Sequence, residues 1–218
     1  MRRPKVKICG VTTVEDALLA AALGADYLGL NFYPPSPRAL DLDGAVEIAR
    51  AVRAVERPPA LVGVFVDRPR AEIEAIDERV GLDLLQFHGD EPPPALRPFA
   101  GRAIKVLRVS RRLDAQAILA YRDAARLWGF LIDYHHPTLR GGSGVSWDFA
   151  SAGDLVVGKP LFIAGGLTPA NVGAAIAAAR PWGIDVCSGV EVSPGRKDAA
   201  LLRRLFREID HVTCSAAS

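Results

Sequence analysis

Two rhythms of apolar residues alternate along this chain from one end to the other. Short apolar runs, some alternating with polar residues, have the period of strands, and the longer stretches between them space apolar residues as helices do. The first run is Lys5-Val6-Lys7-Ile8-Cys9. Period-two geometry places Lys7 and Cys9 on one face of it. Gly10-Val11-Thr12-Thr13 then turns into a helix predicted over 14–23, stopped by Gly24. Further strands are predicted over 27–32, 61–66, 82–87, 103–107, 129–133, 161–164 and 184–187. Helices fall between them: one from Asp43, its cap, to about Val55; one over 70–79; one after Pro92-Pro93-Pro94; one over 113–126; one ending near Ala179; and one over 198–209.

Strands that alternate with helices through short connections imply a parallel sheet covered by helices. The count of such units reaches eight, which favours a closed single-domain (β/α)8 TIM barrel over 1–212, with 213–218 as a disordered C-terminal tail. An open doubly wound sheet is the competing layout. It is weakened because no G-x-G-x-x-G follows the first strand.

Composition narrows the field. The 218 residues carry a formal charge of +2, with arginines scattered and not gathered in a stripe, which argues against nucleic acid as a partner. No apolar run approaches the roughly 20 residues a membrane span requires. The N-terminus has no apolar leader core. Three distant cysteines, Cys9, Cys187 and Cys214, argue against a disulfide framework, and a reducing cytoplasm is expected.

In such a barrel the chemistry sits at the C-terminal ends of strands. Those ends offer Cys9, Asn31, Asp67, His88, Arg108, Asp133, Gly165 and Ser188. Gly165-Gly166 and Ser188-Gly189 follow strands seven and eight, where phosphate is commonly held. Glycine lets backbone N–H groups approach an anion, although tight turns need glycine too. Gly141-Gly142-Ser143-Gly144 offers a third such loop or a lid. Cys9 is either packing material or a reactive thiol. Lys7 either favours its thiolate or pairs with a carboxylate such as Asp185, while Cys187 reads as core. Asp133, after Phe130-Leu131-Ile132, is either an acid partly shielded from water or a structural residue. Arg38, in a proline-bound loop, suits a carboxylate. His88, His135 and His136 lack metal-site spacing, so no metal is expected.

These residues resemble those of the phosphoribosylanthranilate isomerases. The stretches that carry the likeness are Lys7-Ile8-Cys9-Gly10-Val11-Thr12, Gly29-Leu30-Asn31-Phe32 with Ser36-Pro37-Arg38, Leu85-Gln86-Phe87-His88-Gly89, Asp133 with Gly141-Gly142-Ser143-Gly144, Ala164-Gly165-Gly166-Leu167, and Asp185 to Glu191. Phe87 and Cys187 depart from the Leu and Ser the family leads one to expect. The resemblance implies a tryptophan-pathway enzyme that performs an Amadori rearrangement of a phosphorylated small molecule without metal or organic cofactor. It implies Cys9 as base, Asp133 as acid, Arg38 on the anthranilate carboxylate, and Gly142, Gly166, Ser188 and Gly189 on the phosphate. His88 would line the pocket, with Lys7 and Asp185 in support. A monomer or weak homodimer is expected. The rivals are another phosphate-binding barrel enzyme and an inactive barrel that only binds.

Overall fold

In the computed structural model, residues 2–109, 116, 118–121, 126–134 and 158–215 are described. Eight strands close into one barrel in the order β1 to β8. They are β1 (Lys5–Cys9), β2 (Tyr27–Asn31), β3 (Ala60–Phe65), β4 (Leu84–Phe87), β5 (Ala103–Val109), β6 (Gly129–Tyr134), β7 (Leu161–Ala164) and β8 (Gly183–Val186). Every neighbouring pair is parallel, and β1 closes the ring against β8 with Lys7 opposite Asp185 and Ile8 opposite Val186. The barrel layout read from the alternating rhythm is the one observed.

The helices that return the chain outside the barrel are α1 (Val14–Ala22), α2 (Leu42–Arg53), α3 (Arg70–Val80), the short α4 (Pro93–Leu96), α5 (Val172–Ala179) and α6 (Ala199–Ser215). Thr13 caps α1 by accepting from Asp16 N–H at 3.2 Å. On α2 the cap is Asp41, which accepts from Gly44 N–H at 2.8 Å, and not Asp43. Asp43 lies inside the first turn, where its charge meets the helix dipole without capping it. The helix expected over 113–126 lies largely outside the described residues.

The chain end also differs from expectation. Instead of stopping at 209, α6 continues to Ser215. Its apolar stripe of Leu202, Leu205, Phe206 and Ile209 extends to Thr213, which is buried and donates its hydroxyl to the Ile209 and Asp210 carbonyls. Residues 216–218 lie outside the described part.

Two apolar layers result. One large core lies between strands and helices. A second fills the barrel, with Val62, Leu84, Ile104, Val106, Leu131 and Phe162 inside it. Tyr27, Trp128 and Trp182 close the N-terminal end, their rings packing edge-on, tilted or, for Trp128 on Phe162, stacked. With that end plugged by apolar rings, the polar side chains of the interior are gathered at the opposite end.

Candidate active site

Two polar groups occupy that end. The first is built on β1 and β8. Lys7 is completely buried, and its Nζ donates to Asp185 Oδ1 at 2.8 Å across the β1–β8 seam. Cys9 lies two residues further on the same face and is partly exposed. Gly29 on β2 passes close by: a Cβ there would lie 2.7 Å from Cys9 Sγ and 3.1 Å from Lys7 Nζ. Lys7 therefore does both things the sequence allowed, pairing with Asp185 and standing beside the thiol.

Cys187 is not core. It sits immediately beyond β8, partly exposed, with its sulfur against Gly10 and Cys9. A hydrogen bond from the Cys187 thiol, helped by the Lys7 and Lys197 ammonium groups and opposed by burial, holds the Cys9 thiol well below its ordinary value. Cys187 is pushed up in return, by that same hydrogen bond and by burial. Burial, reinforced by Cys9 and opposed by Lys7, pushes Asp185 up to about 7. Lys7 stays protonated, because the Asp185 carboxylate and the Cys9 sulfur outweigh the cost of its burial. Asp185 is thus the member of this pair that titrates near neutrality.

A hairpin after β8, made of β9 (Glu191–Ser193) and β10 (Arg196–Lys197), locks this group from above. Lys197 Nζ donates to the Cys9 carbonyl at 2.5 Å, the Cys187 carbonyl at 3.4 Å and Glu191 Oε1 at 2.8 Å. Glu191, only 4% exposed at its side chain, in turn takes Arg38 Nε at 2.9 Å and Nη2 at 2.7 Å. That fork-on-carboxylate geometry fixes the guanidinium plane. A Cβ on Gly10 would lie 2.6 Å from Arg38 Cδ and 3.0 Å from Cys187 Sγ, so Arg38 lies over the thiols.

The second group is built on β4 and β6. His88 Nε2 stands 3.3 Å from Asp133 Oδ2, with both side chains about a quarter exposed. Asp133 lies two residues after the barrel-interior Leu131, and hence on the same face. Arg108 donates to the His88 carbonyl at 2.6 Å. Gln86, below His88 on the same face of β4, is buried, and its Oε1 has no hydrogen-bond partner among the described residues. Asp185 feels the charge of both Cys9 and Asp133.

Glycine shapes the loops beside them. Gly165 has φ 96° and a Cβ there would meet the Tyr134 backbone and lie 3.0 Å from Asp133 Oδ1. A Cβ on Gly189 would collide with the Leu167 carbonyl, so the loops after β7 and β8 touch through backbone alone. The Gly166 carbonyl accepts from Asn171 Nδ2 at 2.9 Å, and Asn171 Oδ1 accepts from Thr168 N–H at 2.7 Å, which holds the β7 loop at the start of α5.

A family model described as N-(5′-phosphoribosyl)anthranilate isomerase matches residues 6–208. The chain belongs to this isomerase family. A relative of that name from Acidithiobacillus ferrooxidans is 48% identical over 94% of this chain and 97% of its own. One from Pseudomonas aeruginosa is 46% identical over 91% of this chain and 92% of its own. The solved phosphoribosylanthranilate isomerase of Thermotoga maritima superposes with a TM-score of 0.82 at 34% identity, over 95% of this chain and 99% of that one. Another solved isomerase, in complex with reduced 1-(o-carboxyphenylamino)-1-deoxyribulose 5-phosphate, gives 0.78 at 32% identity, over 95% of this chain and 99% of that one.

Of the residues the isomerase resemblance named, Cys9, Lys7, Asp185 and Arg38 gather at the β1–β8 seam, and Asp133 and His88 gather across from it. Gly166, Ser188 and Gly189 lie in the adjoining loops, and Gly142 lies outside the described residues, as do His135 and His136. Asp67 takes no part. Its carboxylate accepts from Asp90 N–H at 2.7 Å and its own N–H donates to Glu91, so it serves a turn. Among the described residues no three His, Cys, Asp or Glu side chains group to hold a metal ion, and no helix is long and apolar enough to cross a membrane. Sequence reasoning missed Lys197 and the role of Glu191. Glu191 ended a recognised motif, but nothing in the spacing announced that a lysine six residues on would reach back to β1.

Proposed function

We propose that Cys9 is the general base and Asp133 the general acid for the isomerisation of N-(5′-phosphoribosyl)anthranilate to 1-(2-carboxyphenylamino)-1-deoxyribulose 5-phosphate. The reaction itself, a step of tryptophan biosynthesis, comes with membership of the family. One observation carries the assignment: a thiol held toward thiolate and a carboxyl bonded to histidine stand at the same end of one barrel interior, on β1 and β6, beside two glycine loops.

The chemistry asks for these two groups in sequence. Asp133 gives a proton to the furanose ring oxygen, the ring opens, and the anilino nitrogen carries the resulting iminium. The Cys9 thiolate then takes the sugar C2 proton, giving an enolamine that tautomerises to the ketone. Such proton transfers are typically worth about 10²–10⁴-fold each. The iminium is the substrate's own electron sink, so the two side chains suffice. Arg38, turned toward the thiols by Glu191, binds the anthranilate carboxylate. Backbone N–H groups at Gly166, Ser188 and Gly189, with Gly142, take the phosphate. The chain works as a monomer or weak homodimer in the cytoplasm.

The test is decay of substrate fluorescence with freshly made phosphoribosylanthranilate. Wild type is expected to consume it, while Cys9→Ala and Asp133→Asn are each expected to bind product phosphate yet show no turnover. Wild-type rates in either variant would sink the assignment.

A further inference from the structure

The family resemblance leads one to expect serine where this chain has Cys187, and that departure puts two free thiols at one seam. We propose that Cys9 and Cys187 form a dithiol modification site, which a hydroperoxide closes into an intramolecular disulfide and a small dithiol reopens.

The geometry supports this independently of any activity. Lys7 pairs with Asp185 and Ile8 with Val186 in the β1–β8 register, and Cys9 and Cys187 are the next residues along the two chains. Adjacent strands lie about 4.8 Å apart, within the roughly 4.4–6.8 Å that a disulfide spans between Cα atoms. Lys7 and Asp185 touch at 2.8 Å across the seam, and each cysteine follows one of them by two residues. The Lys197 ammonium donates to both cysteine carbonyls and ties the two strand ends to one point. Cys187 Sγ would lie 3.0 Å from a Cβ on Gly10, the residue that follows Cys9. Cys9 and Cys187 are residues of intermediate exposure at the open end of the barrel, although burial bears on both sulfurs. Lys7, Lys197 and Arg38 surround the pair with positive charge, and the thiolate is the form that attacks peroxide.

The chemistry balances with hydrogen peroxide as oxidant. The Cys9 thiolate attacks one peroxide oxygen. An S–O bond forms, the O–O bond breaks, and the departing hydroxide takes a proton to become water. Cys187 sulfur then attacks the Cys9 sulfenic sulfur. An S–S bond forms, the S–O bond breaks, and hydroxide leaves with the Cys187 proton as a second water. The two thiols have lost two electrons and the peroxide has gained them. Dithiothreitol reverses the step by thiol–disulfide exchange and is itself oxidised to a cyclic disulfide. While closed, the bridge leaves Cys9 no lone thiolate with which to take a proton. That last consequence rests on the base role proposed above; formation of the bridge does not.

Cys214, exposed on α6, is first removed by Cys214→Ser so that no third thiol intervenes. This protein and its Cys187→Ser derivative are treated with hydrogen peroxide, quenched with an alkylating reagent, and read by peptide mass and by each protein's activity relative to its own untreated sample. With Cys187 present, the chain is expected to lose two hydrogens, to yield linked peptides containing residues 9 and 187, to lose activity in step, and to recover it fully in dithiothreitol. With Cys187→Ser, no link forms, Cys9 goes on to the sulfinic acid by gaining two oxygens, and dithiothreitol recovers nothing. Equal sulfinic acid in both proteins, with no linked peptide, would overturn the proposal. Linked peptides with activity retained would uphold the dithiol site and overturn the base role given to Cys9.

Discussion

The two halves of the site have opposite surroundings. On the β1–β8 side, Cys9 is enclosed by Lys7, Lys197, Arg38, Asp185 and Cys187, and almost every polar atom has a partner inside the protein. On the β4–β6 side, Asp133 has one side-chain partner among the described residues, His88, and both are about a quarter open to solvent. The difference suits the base and acid roles proposed for the two groups. A base of ordinary thiol value, about 8.5, is mostly protonated at neutral pH and needs nearby positive charge and a donor to become an anion in a low-dielectric place. An acid that gives up a proton in every turnover and regains it from solvent works best near the opening. One half is wired to hold a charge and the other is left open to exchange one.

That contrast is broken most severely by removing either proton handler. Cys9→Ala and Asp133→Asn are each expected to lower kcat by at least about 10²–10⁴-fold, with circular dichroism and melting unchanged. Loss in only one of them would mean that a single group serves both steps. The next largest effect is expected from Lys7→Met. Asp185, already pushed up to about 7, then keeps its proton, so no buried charge is stranded and the barrel folds. The sign for Cys9 is that of a lowered acid: thiolate is present above its folded value and is lost as pH falls through it. With one of its cations gone, the acid limb of kcat/KM moves to higher pH, and each unit of movement costs about tenfold at pH below it. An unmoved limb would show that Lys7 only fills the barrel.

The halves were also unequally legible in the sequence. The barrel followed from repetition: each strand run and each helix stop recurred often enough that closure was the economical layout. Cys9 and Asp133 could be singled out because Cys9 ends β1 and Asp133 is the last residue but one of β6, and strand ends are where a barrel exposes chemistry. Lys7 with Asp185 was readable as one of two alternatives, since period two puts Lys7 under Cys9 and Asp185 under Cys187. The rest needed three dimensions. Glu191, Lys197 and Arg38 come from two loops 153 and six residues apart in the pairs they form, and a hairpin too short to show periodicity joins them. Cys187 read as core because a lone cysteine usually is. Its nearness to Gly10 and Cys9 across the seam is what changes that reading. The cap of α2 and the length of α6 moved for ordinary reasons, as caps and frayed ends are decided by one hydrogen bond or one buried side chain.

Glu191→Gln sharpens the contrast within the wired half. The neutral amide keeps the shape but loses the fork-on-carboxylate pairing that orients Arg38, a charge-assisted contact of about 1.5–3 kcal/mol. KM is expected to rise about tenfold with kcat changing much less, because the contact proposed for Arg38 holds the ground state and the transition state alike. Glu191→Asp, which keeps the charge, is expected to recover part of the loss. A fall in kcat at constant KM would instead make Glu191 part of the Cys9 environment.

The smallest effect is expected in the open half, from His88→Asn. His88 reaches Asp133 through one contact at 3.3 Å, and Asp133 also has solvent within reach. An amide at position 88 can still donate toward the carboxylate, so the acid keeps a partner and loses only the particular orientation the imidazole gave it. A fall in kcat of about two- to tenfold is expected, equivalent to about 0.4–1.4 kcal/mol in the barrier, with KM for the substrate nearly unchanged. If His88→Asn instead cost as much as Asp133→Asn, the acid half would be as tightly built as the base half, and His88 would itself stand in the proton path. Measuring kcat for the two variants side by side in one buffer separates these outcomes, because a positioning partner tolerates an amide and a proton carrier does not.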